Sequence, residues 1–158
     1  MELFIDEQKK FLLLLLKYDV EFILIGGHAV IYHGYARITS DMDIWLKPDT
    51  LNRNKFISAL HELGILEEDI AILSKEDFSQ AQVFHIGTKP NRIDFLTKIV
   101  GVTYEEADAQ KSLLPLLGKE IPILHHEHLI TNKLLSDRLK DRADVEELQK
   151  RIRFRNKE

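Results

Sequence analysis

Near the start of the chain, the unbranched apolar run at residues 11–16, set among Lys, Gln and Glu, predicts a helix over about residues 6 to 18 with Asp6 as its cap. "EFILIGG" then reads as a buried strand that ends at Gly26 and Gly27. "HAVIYHGY" predicts a short helix closed by Gly34, and "SDMDIWLKP" predicts a second strand stopped by Pro48. Behind Asp49 and ahead of Gly64, apolar side chains at Leu51, Phe56, Ile57, Leu60 and Leu63 predict an amphipathic helix. Residues 65 to 80 carry no clear period. "AQVFHIG" and "NRIDFLT" predict two strands joined as a hairpin through the turn-forming "TKPN". "SLLPLLGKEIPIL" predicts a short strand pair around Gly118, and residues 128 to about 153 read as helical with a break near Asp141.

Nothing along the 158 residues reads as a linker or a repeat, so a single domain spanning 1–158 is expected, large enough for a core without metal or disulfide staples. With 22 Lys plus Arg against 26 Asp plus Glu, the formal charge of -4 argues against a surface coated for general nucleic-acid binding. A local basic groove is compatible with it. The lack of cysteine excludes a disulfide framework and thiolate chemistry, which suits a cytoplasmic protein. The early leucine run is too short for a signal core and follows a mixed-charge start, and no segment reads as membrane-spanning.

One stretch does not fit a quiet strand. In "RITSDMDIWL", Asp41 and Asp43 lie two positions apart, so on a strand they share a face and repel unless a cation joins them. Hard divalent ions such as Mg²⁺ take oxygen ligands of this kind and complete their shell with phosphates and water. Asp94 in "RIDFL" repeats the anomaly, a carboxylate within an apolar strand. Three acids on two neighbouring strands suit two metal ions roughly 3.5–4 Å apart, serving an in-line displacement at phosphorus, and the third acid can take the attacking hydroxyl's proton. Gly26 and Gly27, between strand and helix, are placed to let backbone N–H groups approach the phosphates.

"LIGGHAVIYHGYARITSDMDIWL" resembles the signature of the DNA polymerase β-type nucleotidyltransferase superfamily: an apolar strand, paired small residues, a short helix, then Asp-x-Asp on the next strand. "RIDFL" resembles its third catalytic acid. The run from Gly26 through Arg37 and Thr39 to Asp43 is most similar to minimal bacterial nucleotidyltransferases, relatives of abortive-infection and toxin–antitoxin proteins. "NKLLSDRLKDRADVEEL" resembles their carboxyl-terminal motif at Lys133, Arg138 and Asp141. The resemblance implies an α+β nucleotidyltransferase fold, a mixed sheet flanked by helices with further helices at the carboxyl end. It implies Mg²⁺, two ions with Mn²⁺ as the substitute, and transfer of a nucleoside monophosphate from an NTP to a hydroxyl. The acceptor stays open among a tRNA end, a partner protein and a small molecule, with an antitoxin as a further partner. Asp41, Asp43 and Asp94 are then the catalytic and metal-holding acids.

The remaining candidates each have an ordinary explanation. Lys133 is either a point charge on the triphosphate or an exposed helix lysine, and Asp141 serves either chemistry or helix capping. Arg37 and Thr39 either touch phosphate and acceptor or brace a loop. His28 lines a nucleotide pocket or is structural, and "HHEH" at 125–128 is a zinc cluster or a polar helix start. The basic run "KRIRFRNKE", with Arg153 and Arg155, is a solvated tail or an RNA contact. Two rival functions remain: a catalytically silent nucleotide- or partner-binding module of a toxin–antitoxin pair, and a phosphohydrolase that uses the same acids on water.

Overall fold

A computed structural model describes residues 2–136 and 138–157, without the side chains of residue 140 and residues 152–157. The chain runs α1 (Asp6–Lys17), β1 (Phe22–Ile25), α2 (Gly26–Tyr32), β2 (Met42–Leu46), α3 (Thr50–Leu63), α4 (Glu67–Leu73), β3 (Val83–Ile86) and β4 (Ile93–Leu96). It continues through α5 (Tyr104–Gln110), β5 (Ser112–Leu116), β6 (Lys119–Ile123), α6 (His126–Ser136) and α7 (Leu139–Lys157). The strands form one mixed sheet in the order β3-β4-β2-β1-β6-β5, with β1–β6 and β2–β4 parallel and the other pairs antiparallel. This is an α+β architecture.

Register decides what each face of the sheet carries. Leu24, Ile44, Phe95 and Phe84 are aligned across four strands, and Phe95 packs on Phe11 of α1 and Phe56 of α3 at ring separations of 5.6 and 4.8 Å. One residue along, the row Ile25–Asp43–Asp94–His85 points to the other face. Two residues on from Asp43, Trp45 shares that second face, where it meets Tyr104 of α5 edge-on at 5.1 Å and donates its indole N–H to the Thr97 carbonyl at 3.0 Å. One face is therefore closed by α1 and α3, and the other is closed by α5 at one end and polar at the next pleat.

The pattern located most elements, with corrections. Asp6 lies inside the first turn of α1, and the flanking position is Ile5, whose N–H donates to the Gln8 side chain at 3.0 Å. Gly26 and Gly27 begin α2 and do not precede it. Asp49 caps α3 as expected by accepting the Asn52 N–H at 2.7 Å, and Gly64 ends the helix in the left-handed region at φ 88°. Leu51 and Leu63 of α3 are exposed, so Phe56, Ala59 and Leu60 form its buried contact. The helical break near the carboxyl end falls between Ser136 and Leu139, before Asp141. Residues 104–110, for which the pattern made no assignment, form α5. The side chains of Arg153 and Arg155 lie outside the described residues, and no described helix is long and apolar enough to cross a membrane.

Phe95 joins the sheet to both covering helices, so Phe95→Ala is expected to cost about 3–5 kcal/mol of unfolding free energy, as large buried truncations do. Urea denaturation checks this; a loss below about 1 kcal/mol would show that the α1–α3 face does not anchor the sheet.

Candidate functional site

The polar row of the sheet opens into a cavity of about 810 Å³, a size that suits a nucleotide-scale ligand. Asp43, Asp94 and His85 line it from the sheet, Gly26 and Gly27 from the start of α2, residues 37–41 from the following loop, Lys133 and Ser136 from α6, Arg138 from the segment before α7, and Asp141 from α7. The structure thus brings Asp41, Asp43, Asp94, Gly26, Gly27, Arg37, Thr39 and Lys133 to one cavity, with Arg138 and Asp141 of the carboxyl-terminal motif, and leaves His28 and the 125–128 cluster out of it.

Asp43 and Asp94 are register partners on parallel strands, side by side on one face. Asp41 sits one residue before β2 begins, so it reaches the cavity from a bend and not from the strand alternation expected of it. Its Oδ1 accepts the backbone N–H of Arg92 at 3.1 Å, while the Arg92 carbonyl accepts from Met42 N–H at 3.0 Å. The loop is thereby fixed to the start of β4. The Arg92 guanidinium turns back along the strand to Asp94, with Nε 2.9 Å from Oδ1 and Nη2 3.3 Å from Oδ2.

The glycines are needed for close approach. Gly26 has φ +69°, and a Cβ there would lie 2.1 Å from Asp43 Oδ2, so any larger residue displaces the carboxylate. A Cβ on Gly27 would lie 2.4 Å from Thr39 Oγ1 and 3.1 Å from Arg37 Nη2. The Gly-Gly pair therefore lets an acid, a hydroxyl and a guanidinium press against the α2 backbone.

Arg37 and Lys133 are held in a buried charge network. Lys133, 4 % exposed, lies 2.9 Å from Asp141 Oδ1 and 2.9 Å from Asp144 Oδ2. Asp144 also faces Arg37, with Nε 2.9 Å from Oδ1 and Nη2 3.2 Å from Oδ2. Asp141 further accepts from Arg138 Nε at 2.7 Å and from the Ser136 hydroxyl. Burial pushes the Asp141 carboxyl up, but the hydrogen bonds from Ser136, Lys133 and Arg138 outweigh it and hold the group at about 2. Lys133 is thus not an exposed helix lysine, and Asp141, in the first turn of α7, anchors the α6–α7 junction.

His28 is buried, stacked on the Phe4 ring at 5.3 Å, and does not line the cavity. Burial, with Arg37 nearby, lowers it to about 4. In the 125–128 cluster, His125 Nδ1 accepts the Glu127 N–H at 3.2 Å where α6 starts, the helix-start role. Among the described residues no three His, Cys, Asp or Glu side chains gather closely enough to hold a metal ion by themselves.

The acids nevertheless suit a divalent ion that shares its shell with substrate. They are hard oxygen donors, and Mg²⁺ is commonly held by one or two carboxylates plus phosphates and water. His85 and Arg92 were not singled out from the sequence. Once the hairpin is recognised, counting outward from its turn sets His85 opposite Asp94, and Arg92 is two residues before Asp94 on the same face. The sequence matches no protein-family model and no curated protein at a significant level.

Two outcomes are expected. Lys133→Ala leaves Asp141 and Asp144 short of their buried cation and should cost roughly 3–5 kcal/mol, so its melting temperature falls; an unchanged melt would mean that the network is not a stabilising element. His28 is neutral in the fold down to about pH 4, whereas an unfolded histidine takes up a proton near 6.5. Stability should therefore fall as pH drops from 6.5 to 4, by about 3 kcal/mol from this residue. His28→Gln should flatten that limb of a stability–pH curve, and the same slope in both proteins would remove His28 as its source.

Proposed function

We propose that the protein is a metal-dependent nucleotidyltransferase that moves a nucleoside monophosphate from an NTP to a hydroxyl acceptor. The observation that carries this reading is the alignment of Asp43 with Asp94 on adjacent strands, facing a nucleotide-sized cavity beside Gly26 and Gly27. The mixed sheet with helices on both faces is compatible with the nucleotidyltransferase fold that the sequence resembles.

In this reading Asp41 and Asp43 hold Mg²⁺, with Mn²⁺ as a substitute, and Asp94 completes the site. Bound there, the metal supplies Lewis-acid polarisation of the phosphoryl oxygens. The backbone at Gly26 and Gly27 flanks the triphosphate, and the packed loop carrying Arg37 and Thr39 fixes that wall. The acceptor oxygen forms a bond to the α-phosphorus, the bond to the β-phosphate oxygen breaks, and pyrophosphate leaves. Asp94 receives the hydroxyl proton. Lys133 acts indirectly: bound to Asp141 and Asp144, it positions α6 and α7 as a cavity wall.

Labelled ATP, GTP, CTP and UTP, each incubated with Mg²⁺ and a lysate of the source organism, test the reading. Transfer of label to an acceptor is expected, and Asp43→Asn should lose it. Release of free nucleotide would favour the phosphohydrolase, and binding without turnover the silent module. Mg²⁺ with NTP at about 100 times the dissociation constant should stabilise the wild type by about 2.7 kcal/mol, and Asp43→Asn by much less. Equal shifts would remove the aspartates from metal binding.

A further inference from the structure

Arg92 is bound to two of the three acids in different ways. Its backbone N–H is fixed to Asp41, which sets where β4 begins, while its side chain lies on Asp94. The two contacts are separable. The backbone contact supports the sheet register, and the side chain reaches the carboxylate along its own strand.

The arm also sits on a more hydrated carboxylate than Lys133 does. Arg92 is 31 % exposed and Asp94 17 %, against 5 % and 1 % for Lys133 and Asp141. Although Nε is 2.9 Å from Asp94 Oδ1, its N–H has no aligned acceptor, which leaves the 3.3 Å bond from Nη2 as the aligned one. A guanidinium there covers the oxygens that a divalent ion would need. A divalent ion on those same two oxygens would stand against the guanidinium at near-contact distance, and its double charge makes that pairing repulsive.

We propose that Arg92 and a divalent cation compete for Asp94, and that the displaced guanidinium moves onto the phosphates of the bound nucleotide. Arg92 then contacts Asp94 and the nucleotide phosphates in turn, and the proposal rests on the nucleotidyltransferase reading of the site. Guanidinium binds phosphate oxygens in a fork geometry, so a triphosphate beside the metal offers the arm an equivalent partner. Metal alone has to displace Arg92 with no replacement contact. Metal with nucleotide provides one. The two ligands consequently bind with positive coupling, which is reciprocal by linkage, and the acids bind metal weakly until a nucleotide arrives.

The test is a Mn²⁺ titration followed by the electron paramagnetic resonance of free Mn²⁺, with and without a non-hydrolysable α,β-methylene ATP analogue. Wild type is expected to bind Mn²⁺ weakly alone and about tenfold more tightly with the analogue, the range of ordinary coupling. Arg92→Gln is expected to bind Mn²⁺ alone roughly fivefold more tightly than wild type, with coupling reduced to about twofold. Arg92→Lys, which keeps the charge but loses the fork, should fall between them; it also carries the test if Arg92→Gln does not fold. A purely structural arginine would leave Mn²⁺ affinity unchanged or weaker in both variants, and that result overturns the competition while leaving the metal site standing. Wild type that binds no Mn²⁺ under either condition overturns the site reading and this proposal together.

Discussion

The parallel pairing of β2 with β4 sets everything else in the cavity, because it brings Ile44 beside Phe95 on one face and Asp43 beside Asp94 on the other. A slip of one residue would exchange the faces, setting carboxylates under α1 and α3 and aromatic side chains in the cavity. The core opposes such a slip. Phe95 is 1 % exposed and touches Phe11 and Phe56, and burying a side chain of that size is worth about 1.5–3 kcal/mol. The apolar row thus provides the stability with which the acidic row is held, although like charges side by side would not choose that arrangement.

A second constraint joins the carboxyl-terminal helices to the loop before β2. Asp144 on α7 binds both Lys133 on α6 and Arg37 on the loop, and the Gln8 side-chain amide of α1 donates to the Ser40 carbonyl of that loop at 3.2 Å. Segments distant in sequence are therefore fixed around one cavity by polar contacts instead of a continuous apolar core. Burying such charges is costly, so the network is better understood as specifying how α6 and α7 dock than as a large net gain in stability.

Much of this could be read from the sequence because local signals governed it. Asp49 capping α3, the β3–β4 hairpin and the strand pair around Gly118 depend on neighbours a few residues away, and the acids stood out as charges within apolar strands. The misses depended on distant partners. Leu51 fits the helical period yet is 66 % exposed, because the sheet meets α3 at Phe56 and Leu60. Nothing next to Lys133 in sequence reveals that it is buried between Asp141 and Asp144, and Asp41 reads as a strand residue because its bend is fixed by the Arg92 backbone, 51 positions away. α5 gave no periodic signal; its burial rests on Tyr104 and Ala107, and Tyr104 finds Trp45 across the fold.

Two kinds of aspartate therefore stand in and behind the cavity wall, separated by how far water reaches them. Asp141 and Asp144 are neutralised by Lys133, Arg37 and Arg138, with each carboxylate 1 % exposed. Removing their cations would leave charge in a medium that cannot solvate it, so these pairs are fixed parts of the wall. Asp94 meets Arg92 where both are partly hydrated, and there a counter-ion can be exchanged because water bears some of the cost of separating the pair. The same residue chemistry gives a structural clamp at one depth and an exchangeable site at another, and the sheet register decides which aspartates occupy the second position.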